Sequence, residues 1–191
     1  MKEYGLGPHK SVDEKPSGGG PGMVLRADVI DTAINDCFKK DRPLIYFSPK
    51  GKPLNQDTIE KFSSTKGVSI ICGHFEGIDQ RIIDLHDIEE ISIGDYILSG
   101  GEIATIVFLD SLVRLLPDVL GNNNSKKIES FTDGLLEYPQ YTKPNEFKGM
   151  KIPDILLSGN HKVIKEWQKN QALSLTKLRR PDLIDKKKDK I

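Results

Sequence analysis

Apolar positions in this chain fall into short β-like runs and helical stripes that take turns over its first two-thirds. Val29, Ile30, Ala33, Ile34 and Cys37 recur at helical spacing and predict a helix over 28–39, closed off before Pro43. Leu44-Ile45-Tyr46-Phe47 is a compact apolar run and predicts a strand ending at Ser48-Pro49. Asn55 is placed to cap a helix running to about Ser63 that buries Ile59 and Phe62. The run 68–72 predicts a second buried strand, 77–85 a short helix and 88–93 a third strand. Strands that alternate with helices, each followed by a small-residue loop, predict a parallel α/β sheet. Ligands of such sheets sit beyond the carboxyl ends of the strands. Those ends carry Tyr46-Phe47-Ser48-Pro49, Gly73-His74-Phe75-Glu76-Gly77 and the stretch 94–101, so three loops are expected to converge on one pocket.

The stretch 91–102 reads Ile-Ser-Ile-Gly-Asp-Tyr-Ile-Leu-Ser-Gly-Gly-Glu: strand, tight turn, extended piece, glycine turn, helix start. Glycines there let a ligand approach main-chain N–H and C=O groups. The spacing matches neither the dinucleotide glycine fingerprint nor a phosphate loop, and an ordinary strand–loop–helix corner would have the same look. The following helix, 102–116, is expected to bury Ile103, Ile106, Val107, Leu109 and Val113, with Arg114 near its carboxyl end. Residues 1–22 are glycine- and proline-rich and predict no packed element; the loop could fold over a ligand or be a mobile end. Residues 122–127 are polar and predict a linker. Ser158-Gly159-Asn160 precedes a long helix from His161 with Val163, Ile164 and Trp167 on one face, ended by Arg179-Arg180-Pro181.

Length changes this picture little: 191 residues suit one large domain or one domain with an appendage. Charge changes it more. Residues 1–121 carry 13 Lys and Arg against 19 Asp and Glu, a net −6, whereas 122–191 carry 15 against 9, a net +6. A basic carboxyl-terminal part points to a polyanion, nucleic acid first; a solvated face with a lysine-rich tail (Lys186, Lys187, Lys188, Lys190) is the plainer reading. No apolar run approaches a membrane span and no secretory signal opens the chain. Two cysteines, Cys37 and Cys72, in apolar contexts predict buried thiols in a reducing, cytoplasmic compartment, with no disulfide or metal site.

Six motifs follow in order: Gly18-Gly19-Gly20-Pro21-Gly22-Met23, Gly73-His74-Phe75-Glu76-Gly77-Ile78-Asp79, the stretch 91–102, Gly134-Leu135-Leu136-Glu137-Tyr138-Pro139-Gln140-Tyr141-Thr142, Leu156-Leu157-Ser158-Gly159-Asn160-His161 and Leu178-Arg179-Arg180-Pro181. Together, from about Tyr4 to Leu183, the chain closely resembles the bacterial tRNA (guanine-N1)-methyltransferases of the SPOUT superfamily. The resemblance implies a parallel-sheet SPOUT fold with a carboxyl-terminal trefoil knot and a small helical carboxyl-terminal domain that grips tRNA. It implies domains at 1–121 and 135–191 with a linker at 122–134. It also implies a homodimer with composite active sites and S-adenosylmethionine as methyl donor, acting on the guanosine 3′ of the anticodon at position 37. Family members begin with a strand, a helix and a further strand before the segment matching Tyr4, so a strand of their central sheet is expected to lie outside these residues.

Carried over by position, the resemblance implies a cofactor pocket of Tyr46, Phe47, Gly73, Glu76, Ile93, Gly94, Asp95, Tyr96, Ile97, Leu98, Gly100 and Gly101. It places the general base at Glu129 and an O6-stabilising cation at Arg114; many members have Asp at the base position. By residue type alone these would be a linker charge and a helix-end ion pair. The basic groups Lys162, Lys165, Lys169, Arg179 and Arg180 are the expected tRNA contacts. His74 and His161 lack metal-ligand spacing and receive no chemistry. Two alternatives stay open: a SPOUT ribose 2′-O-methyltransferase, and a catalytically impaired paralogue that binds cofactor or RNA.

Overall fold

The computed structural model describes residues 1–117, 119, 129–131 and 133–188, the side chains of 186–188 excepted. The chain divides into two compact units, Met1–Leu120 and Gly121–Ile191. The expected linker at 122–127 and Lys190 lie outside the described residues.

The first unit is built on a three-stranded parallel sheet in the order β4–β3–β5. Its strands are β3 (Leu44–Pro53), β4 (Ser69–Ile71) and β5 (Glu89–Ser92). Side chains on β3 alternate between two apolar layers, as a period of two requires. Leu44 and Tyr46 join α1 (Ala27–Cys37) and α3 (Gln80–Leu85) around Ile30, Ile34, Ile82 and Ile83. Ile45 and Phe47 face α2 (Gln56–Ser63) and α4 (Gly101–Val113) around Ile59, Phe62, Ala104 and Phe108. Phe108 is fully buried, edge-on to Phe62 at 5.3 Å and tilted on Phe47 at 5.7 Å between ring centres. Burial on both faces explains why Leu44-Ile45-Tyr46-Phe47 of β3 reads as an unbroken apolar run rather than an alternating one.

Local chemistry sets the element ends. Asn55 Oδ1 accepts from the Thr58 N–H at 2.9 Å and opens α2. Asp79 accepts from the Arg81 N–H at 3.0 Å, so α3 begins at Gln80 and is shorter than the expected 77–85. β3 runs past Ser48-Pro49: Phe47 and Lys52 both pair with Ile91 across a register shift, and the intervening residues bulge out. Gly51 makes the rejoining possible, because any Cβ there would collide with the Ile91 backbone.

Three sequence expectations need correction. Residues 1–22 are not wholly irregular. Lys2–Tyr4 form a 3-10 turn, and β1 (Asp13–Glu14) pairs antiparallel with β2 (Val24–Leu25). Cys37 is exposed, with its Sγ 3.2 Å from the Tyr4 hydroxyl; Cys72 is half-buried against Thr105 at 3.3 Å. The third concerns α4, where Gly101, Ala104 and Phe108 form the buried strip. Ile103, Ile106, Val107, Leu109 and Val113, expected inside, are exposed by 57, 59, 43, 43 and 39%. The helix is apolar on nearly every side, so spacing alone cannot say which stripe meets the sheet.

The second unit holds a two-stranded hairpin, β6 (Glu146–Phe147) with β7 (Met150–Lys151), then α5 (Asp154–Leu157), α6 (His161–Arg179) and α7 (Pro181–Lys188). Proline suits the first turn of α7, since its missing N–H would have no helical partner there. Thr176 anchors the unit: its hydroxyl donates to the Ala172 carbonyl at 2.7 Å and accepts the Leu136 N–H at 2.8 Å.

Candidate functional site

The carboxyl ends of β4 and β5, together with the bulge in β3, open onto a cavity of about 350 Å³. Its walls come from three segments. The part of β3 leading into its bulge supplies Tyr46 and Phe47; the loop after β4 supplies Gly73 and Glu76; the loop after β5 supplies Ile93, Gly94, Tyr96, Ile97, Leu98, Gly100 and Gly101. Asp95 does not line it. Ser48, His74, Phe75 and Ser99, from the loops expected to converge here, also line the cavity. Glu90, within β5, lines it too and was not expected.

Backbone geometry makes the walls. Gly94 has φ of 151° and a Cβ there would run into the Tyr96 ring, so the turn requires glycine. Ser92 Oγ braces that turn, donating to the Gly94 carbonyl at 3.1 Å and accepting its N–H at 3.2 Å. The Tyr96 hydroxyl donates to the Ile93 carbonyl at 3.1 Å. Gly73 faces Tyr46, whose ring carbon would lie 2.6 Å from any Cβ. The Gly101 N–H donates to the Gly73 carbonyl at 2.9 Å, and His74 bridges to Gly100, so the second and third loops are stitched together. The glycine-rich amino-terminal segment reaches the same place. Glu76 N–H donates to the Met23 carbonyl at 2.9 Å, Leu25 bridges to Ile78, and a Cβ on Gly22 would strike the Glu76 carboxylate.

Electrostatics are uneven across the cavity. Burial, with a smaller contribution from Glu90, raises the Tyr46 phenol above its ordinary value, so it is a neutral donor at pH 7. His74 Nε2–H donates to Glu102 Oε1 at 2.5 Å, and that hydrogen bond lowers the Glu102 carboxyl. Among the described residues no cluster of His, Cys, Asp and Glu could hold a metal ion.

The other expected site residues belong to the end of α4 and to the second unit. Arg114 caps the carboxyl end of α4 and is exposed. Glu129 belongs to the second unit and is half-buried, at the start of a tight turn. There Ser130 Oγ accepts the Glu137 N–H at 3.0 Å and Phe131 N–H donates to the Leu135 carbonyl at 2.8 Å. Lys162, Lys165 and Lys169 are exposed on α6 at a spacing that keeps them on one face. Arg179 is the last residue of that helix, about 25 Å along it from Lys162. Arg180 is already engaged, its guanidinium donating twice to Asp182 at 2.8 and 2.7 Å.

A parallel α/β unit with a glycine-walled cavity at the carboxyl edge of its sheet defines a ligand-binding protein of the α/β class. Residues 1–186 match the family described as tRNA (guanine-1)-methyltransferase TrmD, and the chain belongs to that family. It is 52% identical over 186 residues to a tRNA (guanine-N(1)-)-methyltransferase of Gluconobacter oxydans, covering 97% of this chain and 80% of that one. A relative of the same name from Bartonella henselae is 53% identical over 183 residues, covering 96% of this chain and 78% of its own length. One from Pelagibacter ubique is 52% identical over 180 residues, covering 94% and 79%.

Proposed function

We infer that this protein is a tRNA methyltransferase that methylates N1 of guanosine, at position 37 beside the anticodon. Family membership over residues 1–186 carries the reading. In the same reading, the fold is the SPOUT fold with its trefoil knot, 1–121 is the methyltransferase domain, 122–134 the linker and 135–191 the tRNA-binding domain. It acts in the cytoplasm; no helix among the described residues is long and apolar enough to cross a membrane.

The cavity suits S-adenosylmethionine. It is large enough for a nucleoside, with aromatic walls at Tyr46 and Phe47 and main-chain edges at Gly73, Gly94, Gly100 and Gly101. Peptide N–H and C=O groups can read an adenine edge, while Glu76 offers the cavity a carboxylate. When bound, this cofactor supplies a sulfonium-activated methyl group that needs no further activation.

The difficulty lies with the acceptor, because guanine N1 holds its proton at neutral pH. Glu129 takes that proton, a general-base contribution of about 10²–10⁴. As the proton leaves, negative charge moves to O6, where the Arg114 guanidinium stabilises it. Lys162, Lys165, Lys169 and Arg179 bind tRNA phosphates, with Arg180 a weaker contributor because Asp182 already holds it. The protein works as a homodimer, a reading supported by the uncovered apolar face of α4.

The test uses labelled S-adenosylmethionine with tRNA transcripts that carry or lack guanosine at position 37. Label should enter only the first and elute as 1-methylguanosine after digestion to nucleosides. A 2′-O-methylated product would assign ribose transfer instead. Cofactor binding without incorporation would assign a binding paralogue.

A further inference from the structure

Two histidine–carboxylate pairs occur among the described residues of the first unit. His86 pairs with Asp31 at 2.6 Å and ties α3 to α1, and neither residue lines the 350 Å³ cavity. His74 pairs with Glu102 at 2.5 Å across 28 residues of sequence. His74 lines that cavity and also borders a second one of about 500 Å³ beside β4; Glu102 lines only the second. The pair therefore stands in the partition between the two cavities, fastened on one side to the loop after β4 and on the other to the first turn of α4.

On its other side this loop is held by the Glu76 N–H to the Met23 carbonyl at 2.9 Å and the Leu25 N–H to the Gly77 carbonyl at 3.0 Å; toward α4 it has few ties. Phe75 has φ of 58° and is 59% exposed, so it does not anchor the loop by burial. Gly77 follows with φ of 111°. Beyond the His74 side chain, the stitches to the Gly100-Gly101 turn are the His74–Gly100 main-chain bridge and the Gly101-to-Gly73 hydrogen bond. A Cβ on Gly100 would lie 2.5 Å from Glu102 Oε2 and 3.1 Å from His74 Cε1. The glycine turn thus leaves space that this pair occupies. Both side chains are about half exposed, at 49 and 54%, so the pair adds little to global stability. What it can alter is the fraction of molecules in which both cavity walls stand in register.

We propose that Glu102 is a positioning residue for the methyl donor: through its hydrogen bond to His74 Nε2 it holds the 73–77 loop against the start of α4. The inference rests on the cavity being the donor site.

Titration calorimetry of S-adenosylmethionine into the full chain and its variants tests it. Glu102→Ala should raise the donor Kd about three- to fivefold, the upper range for an exposed pair. His74→Ala should do the same, and the double variant should lose no more than either single one, because both remove one interaction. Glu102→Gln keeps an oxygen acceptor for the His74 N–H and should stay within about twofold of the parent. His86→Ala breaks the other pair and should lower the melting temperature without changing donor Kd. An unchanged Kd in Glu102→Ala, additive losses in the double variant, a Gln variant as weak as Ala, or equal weakening by His86→Ala would each overturn the proposal. A parent that binds no donor would overturn the donor-site reading and this inference with it. A parent that binds while Glu102→Ala binds equally would overturn this inference alone.

Discussion

Glu129 has the shortest list of substitutes of any residue in the proposed reaction. Glutamine matches its size and hydrogen-bonding reach but cannot accept a proton from N1. Glu129→Gln should therefore lower single-turnover methyl transfer by about 10²–10⁴, with donor and tRNA affinities within a few-fold of the parent. Raising the pH should recover part of the rate, since solvent then removes more of the N1 proton. Glu129→Asp should outperform Gln, because the carboxylate survives and only its reach shortens. Arg114→Lys should also slow transfer, a point charge replacing a planar fork. Rapid-quench measurement with labelled donor checks all of these, and a Gln variant as fast as the parent would remove Glu129 from the role.

Elements were legible in the sequence wherever one local cause settled them. The Asn55 cap and the apolar pair Ile59 and Phe62 located α2 to the residue. The runs at 44–47, 68–72 and 88–93 located the strands; at 44–47 the cause is burial on both faces, which leaves no polar alternation to mislead. The cavity followed from the same logic, as three small-residue loops at three strand ends. What stayed hidden depended on tertiary choices. No spacing rule states that β3 rejoins β5 beyond a bulge, or which stripe of an all-round apolar α4 meets the sheet. The His74–Glu102 pair was invisible for the same reason, being a contact between residues 28 apart. The lysine stripe of α6 was legible, since helical spacing alone places Lys162, Lys165 and Lys169 on one face. Replacing all three with Gln should weaken tRNA binding and flatten its salt dependence by about one log unit per lost phosphate contact. Donor binding should not change. Filter binding across a salt series reads both, and an unaltered affinity at low salt would mark the stripe as a solvated face.

At the scale of the molecule, the first unit is apolar where a monomer should not be. Ile103, Ile106 and Val107 are exposed by 57, 59 and 43% along one stripe of α4. Tyr96 and Ile97, in the loop that walls the cavity, are exposed by 54 and 80%. Soluble monomers rarely leave so many large apolar side chains exposed along one helix stripe, and in the dimer reading a second copy covers it. An exposed position tolerates charge, whereas the same charge buried without a partner does not. Ile106→Glu should therefore leave the melting temperature of the monomeric unit nearly unchanged while abolishing dimers. Sedimentation velocity at micromolar concentration should give a dimer for the parent and a monomer for the variant. If the active sites are composite, as the dimer reading holds, there is a second readout: transfer by the variant should fall far below the parent and recover partly as protein concentration rises, because assembly restores the site by mass action. An active parent that sediments as a monomer, or a variant that remains dimeric, would show that this face is covered by something other than its own copy.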